Sequence, residues 1–490
     1  MKVWRFGLAL LVGLAGSLMF SAAPTAAGTA SAFENPTWWA KGQLLLNATS
    51  LPPCGISSGN FSEPPNIDIS NEATAQSETS IAINPRNPSQ IVGGSNEIIC
   101  LPMRAYSSTQ GGKSGSWVAS DLPLPPALST NGQDFASDPG VAWDTLGNVY
   151  YSYIVVFFNR SFHAIVGTEM AVARSSDQGH HWTATFFNQT SGTGEFNDKP
   201  MITVDTNPSS SHFNTIYVAW DNASNRSGKS SNNDVILVSN STDHGVTFSA
   251  PTPASPSQGG PAGVIGADPF VAPDGSLFVA WTDTVNPAIR VSESGDGGQT
   301  FGPAHLIANT LATLQTTPPA QALRGALIYP SCAADSGGRL YCSWTDATAS
   351  GATGMFVSHS DDGATWSAAT RIDDSTVFND QFNQWLAVDP TTQNVVLSWY
   401  DTRNDPTRDS TNVFFSESKD RGASFSANSK VTTQPTNETC CGAELNNQYG
   451  DYEGIAAFGG FAHPIWVDRR ASIAAVPGLD EEIFTETIKE

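Results

Sequence analysis

Acidic and tyrosine side chains recur at two fixed positions beside short apolar segments, and they could support binding chemistry. One column precedes seven of these segments: Glu78, Asp138, Asp198, Asp268, Tyr329, Asn383 and Tyr452, with Asp451 beside the last. A second column follows the next apolar segment in five cases: Asp221, Asp283, Asp346, Asp401 and Asp468. Converging carboxylates could bind a hydrated cation or sugar hydroxyls. The alternative is that each carboxylate caps backbone N–H groups at a strand end.

Two other catalytic motifs are missing from the sequence. There is no Cys/His zinc spacing and no phosphate-binding glycine loop. Four of the histidines lie in turns and lack metal-ligand spacing: His180, His181, His244 and His359. The carboxylates and tyrosines therefore remain the candidates for chemistry.

The elements that position these residues are repeats, which are marked by an octapeptide of Ser, Asp, Gly and an aromatic residue. It occurs at residues 175–182, 241–248, 294–301, 359–366 and 418–425. An Asp two residues before a Gly can accept backbone N–H groups while the Gly supplies a positive φ. We call these segments the aspartate turns and predict a structural role for one Asp in each: Asp177, Asp243, Asp296, Asp361 and Asp420. This alignment leaves the fourth copy without its leading serine.

Seven short apolar strands open the repeats, which predicts seven blades of a β-propeller. They cover residues 80–85, 140–144, 201–205, 270–274, 331–335, 385–390 and 454–457. The last repeat ends after its third strand at residues 482–486, and residues 66–70 alternate like a strand that could complete it. Such a strand would close the ring and remove its exposed edges. We therefore divide the chain into a signal peptide (1–32), an extended arm with the closing strand (33–76) and a propeller (77–490).

The aspartate turns are similar to the Asp-boxes of sialidase-like, BNR-repeat β-propellers. The resemblance implies an all-β fold over residues 77–490, namely a single seven-bladed β-propeller with Asp-box hairpins. Two differences from catalytic sialidases argue against assigning their activity to this chain directly. The Arg-Ile-Pro segment of catalytic sialidases is absent, and sialidases have six blades.

Sialidases bind the substrate carboxylate with three arginines and use a Tyr–Glu nucleophile pair with an Asp acid/base. By position, the resemblance implies an arginine clamp of Arg324, Arg403 and Arg469. Tyr329 or Tyr452 would pair with Glu453, and Asp138 or Asp198 would be the acid. Asp268 and Asp451 would join the substrate-binding residues. The strand directions predict that this site lies among the inter-blade loops, away from the aspartate turns.

The resulting functional prediction is a secreted propeller that binds, and in the catalytic case hydrolyses, glycans as an exo-α-sialidase-type glycosidase. The alternative is a non-catalytic extracellular binding, adhesion or protein-interaction propeller. The partner would be a glycan or glycoprotein. We expect a monomer without a cofactor, with a channel-mouth cation such as calcium as the alternative. With 46 acidic against 23 basic residues, a nucleic-acid partner is disfavoured.

The N-terminus and the cysteines both indicate export. Lys2 and Arg5 precede an apolar run at residues 6–20 and small residues up to Ala32, as in a secretory signal. No later stretch has the length of a membrane span. A short turn joins the strands of Cys332 and Cys342, which predicts a disulfide between them. The pairing of the other four cysteines stays open: Cys54, Cys100, Cys440 and Cys441.

Overall fold

The computed structural model describes most of the chain from residue 64 onward. The described residues are 64–72, 74–98, 102–125, 134–158, 165–190, 195–224, 233–259, 263–440, 443, 447–470 and 481–490. Within these ranges the structure is almost entirely β, with one 3-10 turn at Pro319–Gln321. Among them, no helix is long and apolar enough to cross a membrane. The predicted signal peptide and the arm up to residue 63 lie outside the described residues.

Seven antiparallel sheets form the blades of a β-propeller, which confirms the predicted fold class. Blades 1 to 3 contain the following strands, in order: Gln76–Ile83, Ile91–Glu97, Arg104–Ser108 and Trp117–Asp121; Asp134–Trp143, Val149–Phe158, Ile165–Ser175 and Thr183–Phe187; Glu195–Val204, Ile216–Ser224, Asn233–Ser241, Thr252–Pro253 and Gln258–Gly259. Blades 4 to 6 contain these strands: Val264–Val271, Leu277–Asp283, Ala288–Ser294 and His305–Asn309; Pro330–Ala334, Leu340–Ala347, Thr353–Ser360 and Thr370–Arg371; Gln381–Val388, Val395–Asp401, Asn412–Ser418 and Ser429–Lys430. A separate pair, Gln315–Thr316 with Ala326–Leu327, lies between blades 4 and 5 in the chain.

Blade 7 joins the two ends of the described chain. Its strands are Gly454–Phe458, Phe461–Asp468, Glu482–Thr485 and, as the outermost strand, Ile67–Asp68, while Ile488–Lys489 also pairs with Phe461–Asp468. Ile67 pairs with Thr485, and the Ile69 N–H donates to the Ile483 carbonyl at 2.8 Å. These pairings confirm the closing strand predicted at residues 66–70. First strands of successive blades contact one another around the whole ring, including blade 7 with blade 1.

A tryptophan near the end of the second strand packs between neighbouring sheets in five blades. These side chains are Trp220, Trp281, Trp344, Trp399 and Trp466, and each is at most 1% exposed. Truncating such a buried ring to alanine typically costs about 3–5 kcal/mol, because it removes apolar contacts and leaves a cavity. The hydrophobic clusters around them combine side chains of two adjacent blades. The ring is therefore held together by packing between sheets.

In the aspartate turns, the Asp carboxylate accepts hydrogen bonds from backbone N–H groups of the same turn. Asp177 Oδ1 accepts hydrogen bonds from the His181 N–H at 2.9 Å and the Ser175 hydroxyl at 2.7 Å, and Gly179 has φ 90°. Hydrogen bonds from the side chain and backbone of Thr300 lower the pKa of Asp296 to about 2. The corresponding bonds from Ser424 lower the pKa of Asp420 to about 2. Asp243 accepts the Thr247 N–H in the same way at 2.9 Å.

The fourth turn corrects the prediction for Asp361. Asp362, rather than Asp361, accepts the Ser360 hydroxyl at 3.1 Å and the Thr365 N–H at 2.7 Å. Asp361 instead binds the Arg339 guanidinium through both oxygens, at 2.7 and 2.9 Å. In this copy Asp362 directly precedes Gly363, whereas the other copies have one residue between the Asp and the Gly. Ser360 is therefore the leading serine, and the carboxylate inside the turn belongs to Asp362 instead of Asp361.

Two neighbouring substitutions test this reassignment. We expect Asp362→Ala to lower Tm by a few degrees, because backbone N–H groups of the turn lose their acceptor. Asp361→Ala should leave Tm nearly unchanged, since an exposed ion pair contributes little. Differential scanning fluorimetry of the two variants beside the wild type measures both effects. A larger drop for Asp361→Ala would restore the original alignment.

The predicted disulfide is confirmed. Cys332 and Cys342 face each other on the first two strands of blade 5 and are bridged. Cys440 is also disulfide-bonded. The identity of its partner stays open.

Candidate functional site

β-bulges interrupt the first strands of five blades, near the face where those strands begin. We call this the loop face and the opposite end, which carries the aspartate turns, the turn face. The register shifts lie between Ser77 and Thr79, Ser137 and Gly140, Asp198 and Met201, Ile265 and Asp268, and Phe382 and Trp385. Each bulge contains a residue with positive φ: Glu78, Asp138, Lys199, Gly266 and Asn383. Because a bulge redirects side chains, polar groups of several blades reach the propeller axis.

Six charged residues meet at this level, and we call them the axial charge cluster: Glu78, Asp138, Asp198, Lys199, Arg324 and Asp451. Arg324 binds Asp451 through Nε at 2.7 Å and Nη2 at 2.6 Å. Its Nη2 also lies 3.3 Å from Glu78 Oε1. Lys199 Nζ forms an ion pair with Asp451 Oδ2. Blades 1, 2, 3 and 7 and the loop before blade 5 are thereby joined at the axis.

Every member of the cluster is buried, with Arg324 the most exposed at 9%. Burial, together with the charges of Asp451 and Asp138, raises the pKa of Glu78 to about 8. Burial also raises the pKa of Asp138 to about 7. Asp451 is buried as well, but Arg324 and Lys199 hold its pKa below the ordinary value. The cluster therefore combines protonated and ionised carboxyl groups.

Two tyrosines lie against the cluster in a space too small for a sugar. Lys199 Nζ is 5.6 Å from the Tyr329 ring centroid, and the Tyr452 ring lies 5.9 Å from that of Trp385. Neither hydroxyl has a hydrogen-bond partner among the described residues. The cavity beside Lys199, Tyr329 and Trp385 has a volume of about 10 Å³. That is roughly the space of one water molecule.

The structure does not bring the predicted arginine clamp together. Arg403 binds Asp401 and Asp374, each at 2.6 Å, and lies over a phenylalanine ring. Arg469 Nη1 donates to the carbonyls of residues 437 and 440, both at 2.9 Å. Arg324 is held in the axial charge cluster. The three guanidinium groups bind different partners, and no residue takes part in the hydrogen bonds and ion pairs named here for more than one of them.

The predicted Tyr–Glu pair is also not formed by Glu453. Glu453 is buried beside Ser398 and Tyr400, and burial holds its pKa well above the usual range. The carboxyl that acts most strongly on Tyr452 is Glu78. The structure therefore places Tyr452 with Glu78 and Asp138, whereas Glu453 lies beside the hydroxyl groups of Ser398 and Tyr400.

Most aspartates of the second column bind groups in nearby loops, in line with the alternative that these carboxylates have a structural role at strand ends. Asp346 accepts the N–H groups of Leu311 and Ala312 at 2.8 and 2.9 Å. Others pair with nearby arginines: Asp283 with Arg290, Asp401 with Arg403, and Asp468 with Arg470. These carboxylates are therefore already occupied.

An open cavity lies on the axis at the opposite end of the propeller. This axial channel has a volume of about 800 Å³ and opens at the turn face, where Thr206, Asn207, Ser336 and Pro390 form part of its rim. The half-buried Trp385 and the ring of Phe270 lie in its wall. The wall includes three aspartates, Asp205, Asp268 and Asp335, but no lysine or arginine among the described residues. The cavity is thus at the face opposite the predicted site.

Asp268 belongs to this channel and not to the axial charge cluster. Its Oδ2 accepts the N–H of Cys332 at 2.5 Å, next to the disulfide. Burial raises the pKa of Asp268 to about 8, so the carboxyl is mostly protonated at neutral pH. A protonated carboxyl can both donate and accept a hydrogen bond.

No group of three His, Cys, Asp or Glu side chains in the described part of the chain is arranged to hold a metal ion. The alternative of a channel-mouth cation stays a prediction.

No protein-family model and no curated protein sequence matches this chain. Similar solved structures include a protein of unknown function from Dyadobacter fermentans, at 14% identity and a TM-score of 0.45, covering 69% of this chain and 95% of that one. The NanB sialidase from Streptococcus pneumoniae is 10% identical with a TM-score of 0.45, covering 70% of this chain and 66% of that one. An α-L-arabinofuranosidase from Fusarium graminearum is 10% identical with a TM-score of 0.44, covering 88% and 98%. At TM-scores below 0.5, these similarities do not indicate a ligand for this protein.

Proposed function

We propose that this protein is a secreted glycan-binding propeller that holds a neutral sugar in the axial channel without hydrolysing it. The observation that carries the proposal is the channel itself, which has a volume of about 800 Å³ and aromatic and carboxyl groups in its wall. That volume lies within the range of small-molecule binding sites. The half-buried Trp385 offers apolar surface for the C–H groups of a sugar ring. Asp268 can exchange hydrogen bonds with its hydroxyls.

The lack of a lysine or arginine in the described wall of the channel favours a neutral sugar over a sialoside. Asp205, Asp268 and Asp335 line the channel, and no described lysine or arginine does. An anionic sugar would lose its hydration there without gaining a cationic partner, which is costly. The net charge of −23 also opposes the approach of an anion.

The non-catalytic part of the proposal is supported by the position of one carboxyl pair. Glycosidases place two carboxyl groups on either side of the scissile bond, about 5–9.5 Å apart. Glu78, whose pKa is raised, and Asp451, whose pKa is lowered, are both buried in the axial charge cluster. The adjoining cavity of about 10 Å³ cannot admit a sugar, so a sugar in the channel is separated from these two groups. Asp335 of the channel wall is bound through both of its oxygens by Arg421.

A glycan array with neutral and sialylated probes tests the proposal, followed by titration calorimetry of the best ligand. We expect neutral glycans to bind, Trp385→Ala to weaken binding at least tenfold, and Asp268→Asn to weaken it less. Trp182→Ala is the matched control, because Trp182 is half-buried in an aspartate turn outside the channel and should leave affinity unchanged. Preferential binding of sialosides, or full affinity in Trp385→Ala, would contradict the proposal. Release of product from fluorogenic glycosides by the purified protein would contradict its non-catalytic part.

A further inference from the structure

A second cavity adjoins the axial channel on the turn face, between blades 4 and 5. This cleft has a volume of about 500 Å³. Three residues line both cavities: Ala272, Pro273 and Ser336. Phe270 lines the channel and Phe278 lines the cleft, and the two rings stack with centroids 5.5 Å apart and planes at 19°. The channel and the cleft thus adjoin each other, and their bases are joined by the stacked rings of Phe270 and Phe278.

A bridge that joins blade 2 to blade 3 and blade 3 to blade 4 has no counterpart at the same position of blade 4. In blade 2, Arg174 stands just before the serine of the aspartate turn, and its Nη1 donates to the carbonyl of His244 in blade 3 at 3.4 Å. Asn240 has the same position in blade 3 and donates to the carbonyl of Gly297 in blade 4 at 3.1 Å. In blade 4 the position is Glu293, which is exposed. A carboxylate has no N–H to donate, so it cannot form this bridge to blade 5.

The walls of the cleft suit the same class of ligand as the channel. The exposed carboxylates of Asp274 and Glu293 offer hydrogen-bond acceptors, while Phe278 and Leu340 form the nearly buried apolar base of the cleft. Lysine and arginine are absent from the described lining of the cleft. A ligand must therefore supply donors and carry no negative charge, as the hydroxyl groups of a neutral sugar do.

We infer that the ligand is a neutral oligosaccharide whose chain runs from the axial channel past Pro273 and Ser336 into this cleft. This inference rests on the proposed function and adds further sugar subsites to it. One sugar occupies the channel, and the following units lie along Phe278 and Glu293. Affinity should then grow with chain length until the cleft is filled, because each unit buries additional surface.

The test uses homo-oligosaccharides of one to six units, prepared from the neutral sugar that binds on the array, with calorimetric Kd values. We expect the trisaccharide to bind at least tenfold more tightly than the monosaccharide, with little gain beyond it. Glu293→Arg restores a donor at the bridging position, so the ratio of the two affinities should fall to near one. Glu417→Arg is the control, because Glu417 also stands just before the serine of an aspartate turn, in blade 6 and outside the lining of the cleft. It should keep the wild-type ratio.

Ser336→Trp gives an independent block at the junction of channel and cleft, in case Glu293→Arg folds poorly. It should also reduce the ratio to near one. Equal affinity for all chain lengths, or a wild-type ratio in a folded Glu293→Arg or Ser336→Trp variant, would overturn the inference while leaving the proposed function intact. If no glycan binds at all, the proposed function fails and the oligosaccharide subsites fail with it.

Discussion

The protein is expected to melt several degrees higher at pH 5 than at pH 8. Buried carboxyl groups with raised pKa values account for this difference, among them Glu72, Glu438 and the three groups of the axial region described next. The pKa values of Glu78 and Asp268 are raised to about 8 and that of Asp138 to about 7, in each case mainly by burial. In the unfolded chain the same groups titrate near 4, as ordinary carboxyl groups do.

The sign of the effect follows from proton linkage. Between about pH 4 and pH 8 the folded protein keeps protons on these groups while the unfolded chain has lost them. The free energy of unfolding therefore falls as the pH rises through this window. Below about pH 4 a second set of carboxyl groups dominates the pH dependence. Turn hydrogen bonds lower the pKa values of Asp243, Asp296 and Asp420 to about 2, so the free energy of unfolding falls as the pH falls. Greatest stability should thus lie near pH 4–5.

Scanning calorimetry at pH 3, 5 and 8 measures this dependence. Asp268→Asn provides a control, because the carboxyl of Asp268 is affected by burial and by one backbone N–H but by no neighbouring charge. That variant should lose part of the drop between pH 5 and pH 8, since its amide does not titrate. A Tm that is highest at pH 8 would show that these carboxyl groups are ionised in the folded protein.

The architecture could be predicted from the sequence because the same strand pattern occurs in seven repeats, so an uncertain strand in one repeat is identified by its counterparts in the others. Seven strand starts and one incomplete final repeat were enough to predict the ring and its closing strand at residues 66–70. The disulfide between Cys332 and Cys342 followed because a short turn fixes which residues face each other. The one misaligned turn, at Asp361, contains a deletion that a fixed spacing cannot detect.

The candidate site was less predictable, because charges and bulges depend on neighbours in space. The column ahead of the first strands correctly grouped Glu78, Asp138 and Asp198, since first strands converge on the axis. Lys199 was missed, although it follows Asp198 directly, because only the bulge turns both side chains inward. Arg403 was misassigned, although Asp401 stands two residues before it and neutralises it locally.

The location of the open cavity could not be predicted from residue types. The sequence places Trp385 in a first strand, but its neighbours in the sequence do not show which face of that strand lines a channel. The loop face was favoured because it collects charged residues. Those charges are bound by different partners: Arg324 lies in the axial charge cluster, whereas Arg403 is bound by Asp401 and Asp374.

Asp451→Asn is expected to be among the most destabilising single substitutions in the protein, at about 3–5 kcal/mol. Asp451 is 2% exposed and is the common partner of Lys199 and Arg324. An amide in its place leaves two buried cations with much less negative charge, and this costs more than the original pair gained. Asp361→Asn, which disrupts an exposed ion pair, should cost less than about 1 kcal/mol and serves as the control.

A double-mutant cycle with Lys199→Met separates the ion pair from general disruption of the core. Lys199→Met leaves Asp451 bound to Arg324, so it should cost less than Asp451→Asn. The double variant should be more stable than the sum of the two losses predicts, because Lys199 is no longer left unpaired. Glu78 should also titrate at a lower pH in Asp451→Asn, since the charge of Asp451 contributes to its raised pKa. Additive losses, with an unchanged fall in stability between pH 5 and pH 8, would mean that the cluster does not act as one electrostatic unit.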